Sequence, residues 1–236
     1  MKQKLRNVPF SVREELQTLL TKLQSEDIIE EVESSEWVSP TVLTKKGNGE
    51  LRLCIDLRAL NANILVDCHP LPKINELLSL MGKATVFSTL DLRQAYHQIE
   101  LVSESRHLTA FITPFGMFQY KRMPFGLASA ASVFQRAMFH LFKDLKQNVR
   151  CFQDDILIFT DDMTSHLEVL REVSNRLSKS GLVLQGDKCK LCCKQVDYLG
   201  HTITAKGIAP KSSLVESIKS APAPSDKDQL RSFLGL

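Results

Sequence analysis

Two adjacent acids interrupt an otherwise apolar stretch of the sequence, Val149-Arg-Cys-Phe-Gln-Asp-Asp-Ile-Leu-Ile-Phe-Thr160. The apolar and aromatic residues on both sides predict two strands joined by a tight turn that carries Asp154 and Asp155. Aspartate is common in turns, so an ordinary turn is one interpretation. Because 156–159 is apolar throughout, the turn is expected to emerge from a buried sheet. Two carboxylates about 4 Å apart repel by roughly 4 kcal/mol at an effective dielectric near 20, and a divalent metal ion is the simplest compensation.

A third acid, Asp91, follows a second apolar run, Val86-Phe-Ser-Thr-Leu90. A helix N-cap is the alternative interpretation of this aspartate. If the two strands are neighbours, three carboxylates meet at one edge of a sheet. That arrangement is the outline of a two-metal site for phosphoryl transfer, and Mg²⁺ suits its oxygen ligands.

The composition is that of an ordinary globular protein. The 236 residues are 43% hydrophobic and 24% charged, which suits one or two domains and excludes a disordered chain. No apolar run approaches the roughly 18 residues of a membrane helix, so no membrane contact is expected. The net charge of +3 says little about partners. Six cysteines without an apolar leader favour reduced thiols in an intracellular, cytoplasmic protein; a nuclear or particle-associated location is the alternative.

Hydrophobic periodicity and turn residues predict an α+β fold in which hairpins outnumber crossovers. Ser11 with Glu14 forms the pattern of a capping box before the first helix, and Ser225 is expected to cap the last one. The predicted helices are 12–29, 74–81, 128–145 and 165–178. The predicted strands are 37–44, 51–56, 84–91, 97–102, 108–113, 118–122, 149–152 and 156–160, followed by a hairpin at 196–204 and a polar tail from 205.

Seven motifs occur in order over nearly the whole chain, and together they are specific. They resemble the fingers and palm of the reverse transcriptase of a gypsy-type LTR retrotransposon Pol polyprotein. The motifs are Ser35-Glu-Trp-Val-Ser-Pro, Leu51-Arg-Leu-Cys-Ile-Asp-Leu-Arg-Ala-Leu-Asn, Phe87-Ser-Thr-Leu-Asp-Leu-Arg-Gln-Ala-Tyr-His-Gln-Ile, Thr113-Pro-Phe-Gly-Met-Phe-Gln-Tyr, Arg122-Met-Pro-Phe-Gly-Leu, Phe152-Gln-Asp-Asp-Ile-Leu and Tyr198-Leu-Gly-His.

The resemblance implies the roles of the acidic residues. Asp91, Asp154 and Asp155 match three metal-binding aspartates, and the carbonyl of Leu92 matches a further ligand. Two Mg²⁺ ions are implied, with Mn²⁺ as a substitute. Lys188 matches a lysine that protonates the departing pyrophosphate; taken alone, it is a surface lysine.

Other residues match positions that hold the substrates. Lys46 and Arg52 match residues that bind the triphosphate of a dNTP, and a solvated basic hairpin is the alternative. Tyr96 matches the residue that excludes a 2′-OH, although a core tyrosine has the same sequence pattern. Phe125 and Gly126 match the segment behind the nucleotide. Tyr198, Leu199 and Gly200 match the primer grip. Without the family motif, Tyr198 would be read as a packing residue.

The implied organisation is a right-hand polymerase whose antiparallel palm sheet packs on helices. It assigns fingers to 1–84, palm to 85–113, returning fingers and a palm helix to 114–145, palm with the catalytic and primer-grip hairpins to 146–204, and the start of a thumb or connection to 205–236. The full thumb, the connection and RNase H are expected in a longer parent polyprotein. The implied partners are dNTPs and an RNA or DNA template with its primer. The alternative is a truncated, non-catalytic remnant that binds nucleic acid or a partner protein.

The sequence departs from the family pattern at two positions, where Phe152 replaces a common Tyr and Ala131 a common Pro. The missing hydroxyl should leave metal binding intact while altering fidelity or rate. A further cluster, Cys189, Cys192 and Cys193, has irregular spacing, so a zinc site with His201 is a weak alternative. No phosphate-binding loop of the Gly-x-x-x-x-Gly-Lys type occurs, which argues against an ordinary NTPase.

Overall fold

The computed structural model describes residues 2–45, 47, 49, 51–67, 69 and 83–235. Their contacts divide the chain into a first unit, Met1–Leu71 with Arg93–His140, and a second unit, Pro72–Leu92 with Leu141–Leu236. Numbered over the described residues, the helices are α1 Arg13–Ser25, α2 Arg58–Asn61, α3 Ser103–Arg106, α4 Ala130–Phe142, α5 Met163–Lys179, α6 Ser212–Lys219 and α7 Lys227–Leu234. The strands are β1 Ile29–Glu31, β2 Ser39–Lys45, β3 Leu51–Ile55, β4 Val86–Asp91, β5 Phe111–Thr113, β6 Gly116–Tyr120, β7 Val149–Phe152, β8 Asp155–Thr160, β9 Lys190–Cys193, β10 Gln195–Tyr198, β11 His201–Thr204 and β12 Gly207–Pro210.

The second unit is built around an antiparallel four-stranded sheet in the order β7-β8-β4-β9. Strand β8 is central and buried from Ile156 to Thr160, as its apolar run predicts. Helix α5 packs against β8 and β4. Its N-cap is Asp162, whose side chain accepts a hydrogen bond from the Ser165 amide, which explains why the helix begins before the predicted residue 165.

A smaller antiparallel sheet in the second unit has the order β10-β11-β12. Residues from both sheets share one hydrophobic cluster, which includes Phe87, Leu157, Val196 and Ile203. The side chain of Phe152 packs against this cluster. The predicted 196–204 hairpin is therefore confirmed, and its packing fixes it to the strands that carry the acids.

The first unit contains a five-stranded sheet in the order β1-β6-β5-β2-β3. All pairings are antiparallel except β2 with β5, which is parallel. Helix α1 packs on β1 and β3 and buries Leu16, Leu20 and Leu23 in the core. The predicted hairpin of β2 and β3 is confirmed by a register that pairs Lys45 with Leu51.

Several predicted boundaries are wrong for local reasons. Ser11 does not cap α1, because a 3-10 turn, Phe10–Val12, precedes the helix and Val12 becomes the N-cap. The chain leaves α1 at Ser25 instead of residue 29, since Asp27 adopts a left-handed conformation with φ 57°. The last helix is capped by Asp226 instead of Ser225, because its carboxylate accepts two backbone hydrogen bonds.

Two longer predictions also fail. The expected strand 97–102 is replaced by a 3-10 helix, Ala95–Gln98, that starts after Gln94 at φ 47°. Only Phe111–Thr113 of the expected strand 108–113 is extended. The polar tail from 205 contains β12 and α6, because Gly207 at φ 132° returns the chain along β11.

The expected helix 74–81 lies outside the described residues. Within the described part of the chain, no helix has the length and apolar character needed to cross a membrane.

Candidate active site

Strand pairing brings the three predicted acids of the second unit together. Strands β4 and β8 are antiparallel, and their register places Asp91 directly opposite Asp155. The amide of Leu92 donates to the carbonyl of Asp154 at 3.4 Å, which ties the end of β4 to the β7–β8 turn. Leu92 itself is buried and forms a bridge with Leu184. The N-cap alternative for Asp91 is therefore wrong, because this residue ends a strand.

The turn that presents Asp154 is tight and strained. Strands β7 and β8 pair Phe152 with Asp155, so only Gln153 and Asp154 connect them. Gln153 has φ 54°, in the left-handed region that such turns usually give to glycine or asparagine. A non-glycine residue in this region costs of order 1 kcal/mol, and such strain is found at functional sites.

The charges at this edge are incompletely balanced. Burial raises the pKa of Asp155, and the nearby carboxylates of Asp154 and Asp91 raise it further. Lys188 opposes this shift, and its Nζ lies 3.4 Å from Asp91 Oδ1. Against three carboxylates, the half-exposed Lys188 and Lys190 of the adjoining cleft leave a net negative site that attracts cations.

The donor chemistry of this edge fits a divalent metal ion. Carboxylate oxygens are ligands that Mg²⁺ prefers, and a cation would relieve the repulsion that raises the pKa of Asp155. Among residues 2–45, 47, 49, 51–67, 69 and 83–235, no group of three or more His, Cys, Asp or Glu is already arranged to hold a metal ion. The fit therefore rests on donor type and charge. The same finding gives no support to zinc at Cys189, Cys192, Cys193 and His201.

A cleft of about 140 Å³ opens beside Asp91 and Asp155. It is lined by two residues that the motifs did not single out, Lys190 and Asp197. The Asp197 carboxylate accepts a hydrogen bond from Thr202 and pairs with Lys211 at 3.3 Å, and these contacts hold its pKa below the usual range. Asp197 is therefore ionised, and its charge is compensated by Lys211, unlike the charge of Asp155. Its placement depends on the β10–β11 register, which the sequence alone does not reveal.

The predicted primer-grip residues form the turn between β10 and β11. Leu199 at φ 48° and Gly200 at φ 78° connect Tyr198 to His201, as in a two-residue hairpin with both central residues left-handed. Tyr198 is buried, and its hydroxyl donates to the backbone carbonyl of Asp155 at 3.4 Å. Burial also raises the pKa of Tyr198. Tyr198 thus ties the β10–β11 hairpin to the backbone of Asp155, a contact that the motif did not indicate.

The predicted nucleotide-binding residues of the first unit form an aromatic group. Tyr96 lies on the 3-10 helix, with ring centroids 5.1 Å from Phe125 and 5.8 Å from Phe134. The exposed guanidinium of Arg52 on β3 lies 5.4 Å from the Phe125 ring, a cation–π geometry. Arg52, Tyr96 and Phe125 are therefore close together, whereas Lys46 lies outside the described residues.

Asn61, which has no assigned role in the sequence motif, holds the loop that contains Gly126. Its Nδ2 donates to the Gly126 carbonyl at 2.9 Å, and its Oδ1 accepts from the Ala128 amide at 2.9 Å. Gly126 itself has φ 95°, which favours glycine. Both ends of one amide thus fix a loop whose backbone requires glycine.

Beside this group, a cleft of about 220 Å³ in the first unit is lined by Arg52, His97 and Phe125. Burial lowers the pKa of His97 to about 4, so the ring is neutral near pH 7. Its Nδ1 pairs with Gln94 Oε1 at 2.9 Å. Its buried Nε2 has no hydrogen-bond partner among the described groups.

The antiparallel sheet β7-β8-β4-β9, which sets Asp91 opposite Asp155, is of the kind found in polymerase palm domains. The chain belongs to the family described as reverse transcriptase (RNA-dependent DNA polymerase), whose profile matches residues 43–203. The predicted retrotransposon reverse transcriptase family is thus confirmed, while the gypsy-type assignment stays a prediction.

The curated relatives are transposon polyproteins. The chain is 40% identical over 205 residues to the retrovirus-related Pol polyprotein from transposon 297 of Drosophila melanogaster, covering 86% of this chain and 19% of the relative. It is 32% identical over 197 residues to the transposon Tf2-3 polyprotein of Schizosaccharomyces pombe, covering 83% of this chain and 15% of the relative. The chain therefore spans about a fifth or less of the length of these relatives.

Solved structures confirm the predicted fingers and palm fold. The foamy viral protease-reverse transcriptase in complex with an RNA/DNA hybrid matches with a TM-score of 0.90 at 22% identity, covering 99% of this chain and 31% of that one. The same protein in complex with double-stranded DNA gives a TM-score of 0.91 at 22% identity, with 99% and 49% covered. The predicted boundaries of fingers, palm and thumb, and the role of each site residue, stay predictions.

Proposed function

We propose that the chain is the catalytic core of an RNA-directed DNA polymerase that adds dNTPs to a primer 3′-OH by two-metal phosphoryl transfer. The observation that carries the proposal is the register of β4 and β8, which sets Asp91 opposite Asp155 beside the turn with Asp154. Membership in the reverse transcriptase family supports the same reaction class.

In this proposal Asp91, Asp154 and Asp155, with the carbonyl of Leu92, hold two Mg²⁺ ions, for which Mn²⁺ can substitute. When bound, such ions activate the attacking hydroxyl and stabilise charge on the phosphate and the leaving group. The protein contributes rigid placement, because the acids lie at strand ends and in a two-residue turn.

Lys188 has the role of proton donor in this proposal. Its ammonium lies 3.4 Å from Asp91 Oδ1, so a proton is held at the border of the acidic cluster. A departing pyrophosphate, which is strongly anionic, would take up that proton and leave lysine neutral. The Asp91 contact keeps the ammonium oriented toward the site.

The remaining contacts concern the substrates. Arg52 and Lys46 bind the triphosphate, Tyr96 excludes a 2′-OH, and Phe125 with Gly126 lies behind the nucleotide. The turn 198–200 holds the primer end. By likeness to the foamy viral enzyme, which was solved with an RNA/DNA hybrid, the partner is an RNA or DNA template with its primer. The parent polyprotein would supply thumb, connection and RNase H.

Primer extension on an RNA template tests the proposal. We expect Mg²⁺-dependent incorporation by the chain, supplied with a thumb fragment in trans if needed, and loss of incorporation in Asp154→Asn. The matched control is Asp161→Asn, at the exposed opposite end of β8, which should retain activity. Salt-sensitive hybrid binding without incorporation, by this chain and by its longer parent, would favour the non-catalytic remnant instead.

A further inference from the structure

A fully buried histidine lies behind the candidate active site. His166 of α5 is 0% exposed, and both of its ring nitrogens have hydrogen-bond partners. Nε2 lies 2.7 Å from Ser88 Oγ on β4, and Nδ1 lies 2.9 Å from Thr160 Oγ1 on β8. These are the two central strands, and they carry Asp91 and Asp155. The histidine thus joins the helix to both strands of the acidic site.

The donor and the acceptor of each hydrogen bond in this network can be assigned by starting from the groups at its two ends. Thr160 Oγ1 donates to the carbonyl of Asp162 at 2.9 Å, so it accepts from His166 Nδ1–H. Burial lowers the pKa of His166, which favours a neutral ring with a bare Nε2. Ser88 must therefore donate to Nε2, and its oxygen remains free to accept a further hydrogen bond.

The Ser88 oxygen accepts that bond from the amide of Cys192 in β9, at 2.9 Å. Cys192 has φ 53°, and the β4–β9 register shifts between Phe87 and Thr89. At this bulge the regular ladder is interrupted. A side-chain hydroxyl replaces the missing strand bond, so the position of Cys192 depends on the orientation of Ser88.

The segment fixed in this way carries Lys188. Its other end is held by Gln185, whose amide donates to the Asp91 carbonyl at 2.8 Å. Lys188 lies between Gln185 and Cys192, whose hydrogen-bond partners Asp91 and Ser88 are both on β4. Because Lys190 pairs with Thr89 of β4 between Cys192 and Lys188, a displacement of Cys192 alters the distance between Lys188 and Asp91 by shifting that pair along β4.

We propose that His166 is a positioning residue of the candidate active site: it orients the Ser88 hydroxyl, which fixes Cys192 and thereby keeps Lys188 beside Asp91. The inference rests on the proposed function for its effect on catalysis. Each donor and acceptor in the chain from Cys192 to Asp162 is satisfied, and fully satisfied buried networks are rigid. An apolar residue at 166 would fill the space but leave Ser88 without an acceptor for its proton.

Two substitutions separate positioning from packing. The amide of His166→Gln reaches the place of Nε2 and keeps a partner for Ser88, whereas the amide of His166→Asn reaches the place of Nδ1 and keeps a partner for Thr160. Each loses one buried bond, so similar losses of thermal stability are expected. If His166 positions Lys188 through Ser88, His166→Asn should lower kcat about 10-fold more than His166→Gln, because small displacements of catalytic groups have effects of this size. The KM for template-primer should be unchanged in both variants. Equal kcat values would overturn the proposal.

A second pair of variants covers failure of the first to fold. Ser88→Ala removes the bond to Cys192, and Thr160→Val removes the other arm while retaining shape. We expect faster exchange of the Cys192 amide with solvent, and a lower kcat, in Ser88→Ala only. The same result in both variants would show that the network serves stability alone.

A spectroscopic measurement tests the inference without activity. Ring ¹⁵N shifts of His166, assigned by their loss in His166→Gln, should show a proton on Nδ1 and none on Nε2 near pH 7; the opposite tautomer or a doubly protonated ring contradicts the proposal. If neither the wild-type chain with a thumb fragment nor its longer parent incorporates nucleotide, the proposed function fails separately. The NMR signals of the Lys188 side chain then test the positioning role of His166 without activity. These signals should shift in Ser88→Ala but not in Thr160→Val, and equal shifts in both variants would overturn the proposal.

Discussion

The two units place their candidate functional residues by different means. In the second unit, strand register sets Asp91 opposite Asp155, and hydrogen bonds from Leu92 and Tyr198 fix the adjoining turn. In the first unit, Tyr96 lies on a 3-10 helix and Phe125 lies next to Gly126 in a loop. They are held by ring contacts and by the Asn61 amide.

This difference predicts a division of labour. Residues fixed by a buried sheet have little freedom, so substitution should affect the chemical step. Residues held by aromatic contacts on loops can adapt, so substitution should affect which nucleotide is accepted and how tightly. The second unit would then set the rate, and the first unit the selectivity.

The largest effect is expected for Asp91→Asn. Loss of this carboxylate removes a proposed metal ligand and the anion that orients Lys188. We expect incorporation to fall by at least about 100-fold, the cost of losing several kcal/mol of charge stabilisation. The loss should be the same for all four dNTPs, measured as single-turnover rates.

Asp197→Asn is the matched comparison, because Asp197 lines the same cleft. Its charge is already balanced by Lys211, and Thr202 donates a hydrogen bond to it, so a rate loss below about 10-fold is expected. Equal losses in the two variants would mean that neither acid is distinguished as a metal ligand.

The facing acids could be predicted from sequence because each apolar run ends or begins with aspartate. Antiparallel pairing of two such runs brings those ends together, whatever the rest of the chain does. The Ser88 bond to Cys192 could not be predicted, since it depends on a bulge in a strand 104 residues away. Likewise, the apolar and polar residues of 97–102 suggest a strand, but the left-handed Gln94 starts a 3-10 helix there.

A change in selectivity is expected for Tyr96→Ala. Removing a ring that packs on Phe125 and Phe134 opens space at the position where the proposed function places a ribose 2′-OH. We expect the ratio of kcat/KM for ribonucleotides to that for dNTPs to rise by roughly 10-fold or more. Tyr96→Phe keeps the ring and should keep the discrimination. A rise in both variants would assign the effect to the hydroxyl instead of the ring.

A smaller loss is expected for Asn61→Ala. This change removes two hydrogen bonds to the Gly126 loop, worth together about 1–2 kcal/mol. Denaturant unfolding should show that loss of stability, with a higher KM for dNTPs. Asn63→Ala is the control, because the side chain of Asn63 donates to the carbonyl of Ala59 in the preceding helix α2. If both variants lose the same stability, the loop is not held by Asn61.

The smallest effect is expected for Gly126→Ala. A Cβ at this position would lie 3.8 Å from the Ile55 carbonyl, an ordinary contact, so the cost comes from the backbone at φ 95° and should be about 1 kcal/mol. Gly47→Ala is the control, since, apart from its own chain neighbours, no atom of the described residues lies within 4 Å of its Cβ position. In the double variant Asn61→Ala/Gly126→Ala, a loss of stability smaller than the sum of the two single losses would show that the loop relaxes once the Asn61 side-chain amide is gone. The conformation at Gly126 would then be imposed by Asn61, and not by the local sequence of the loop.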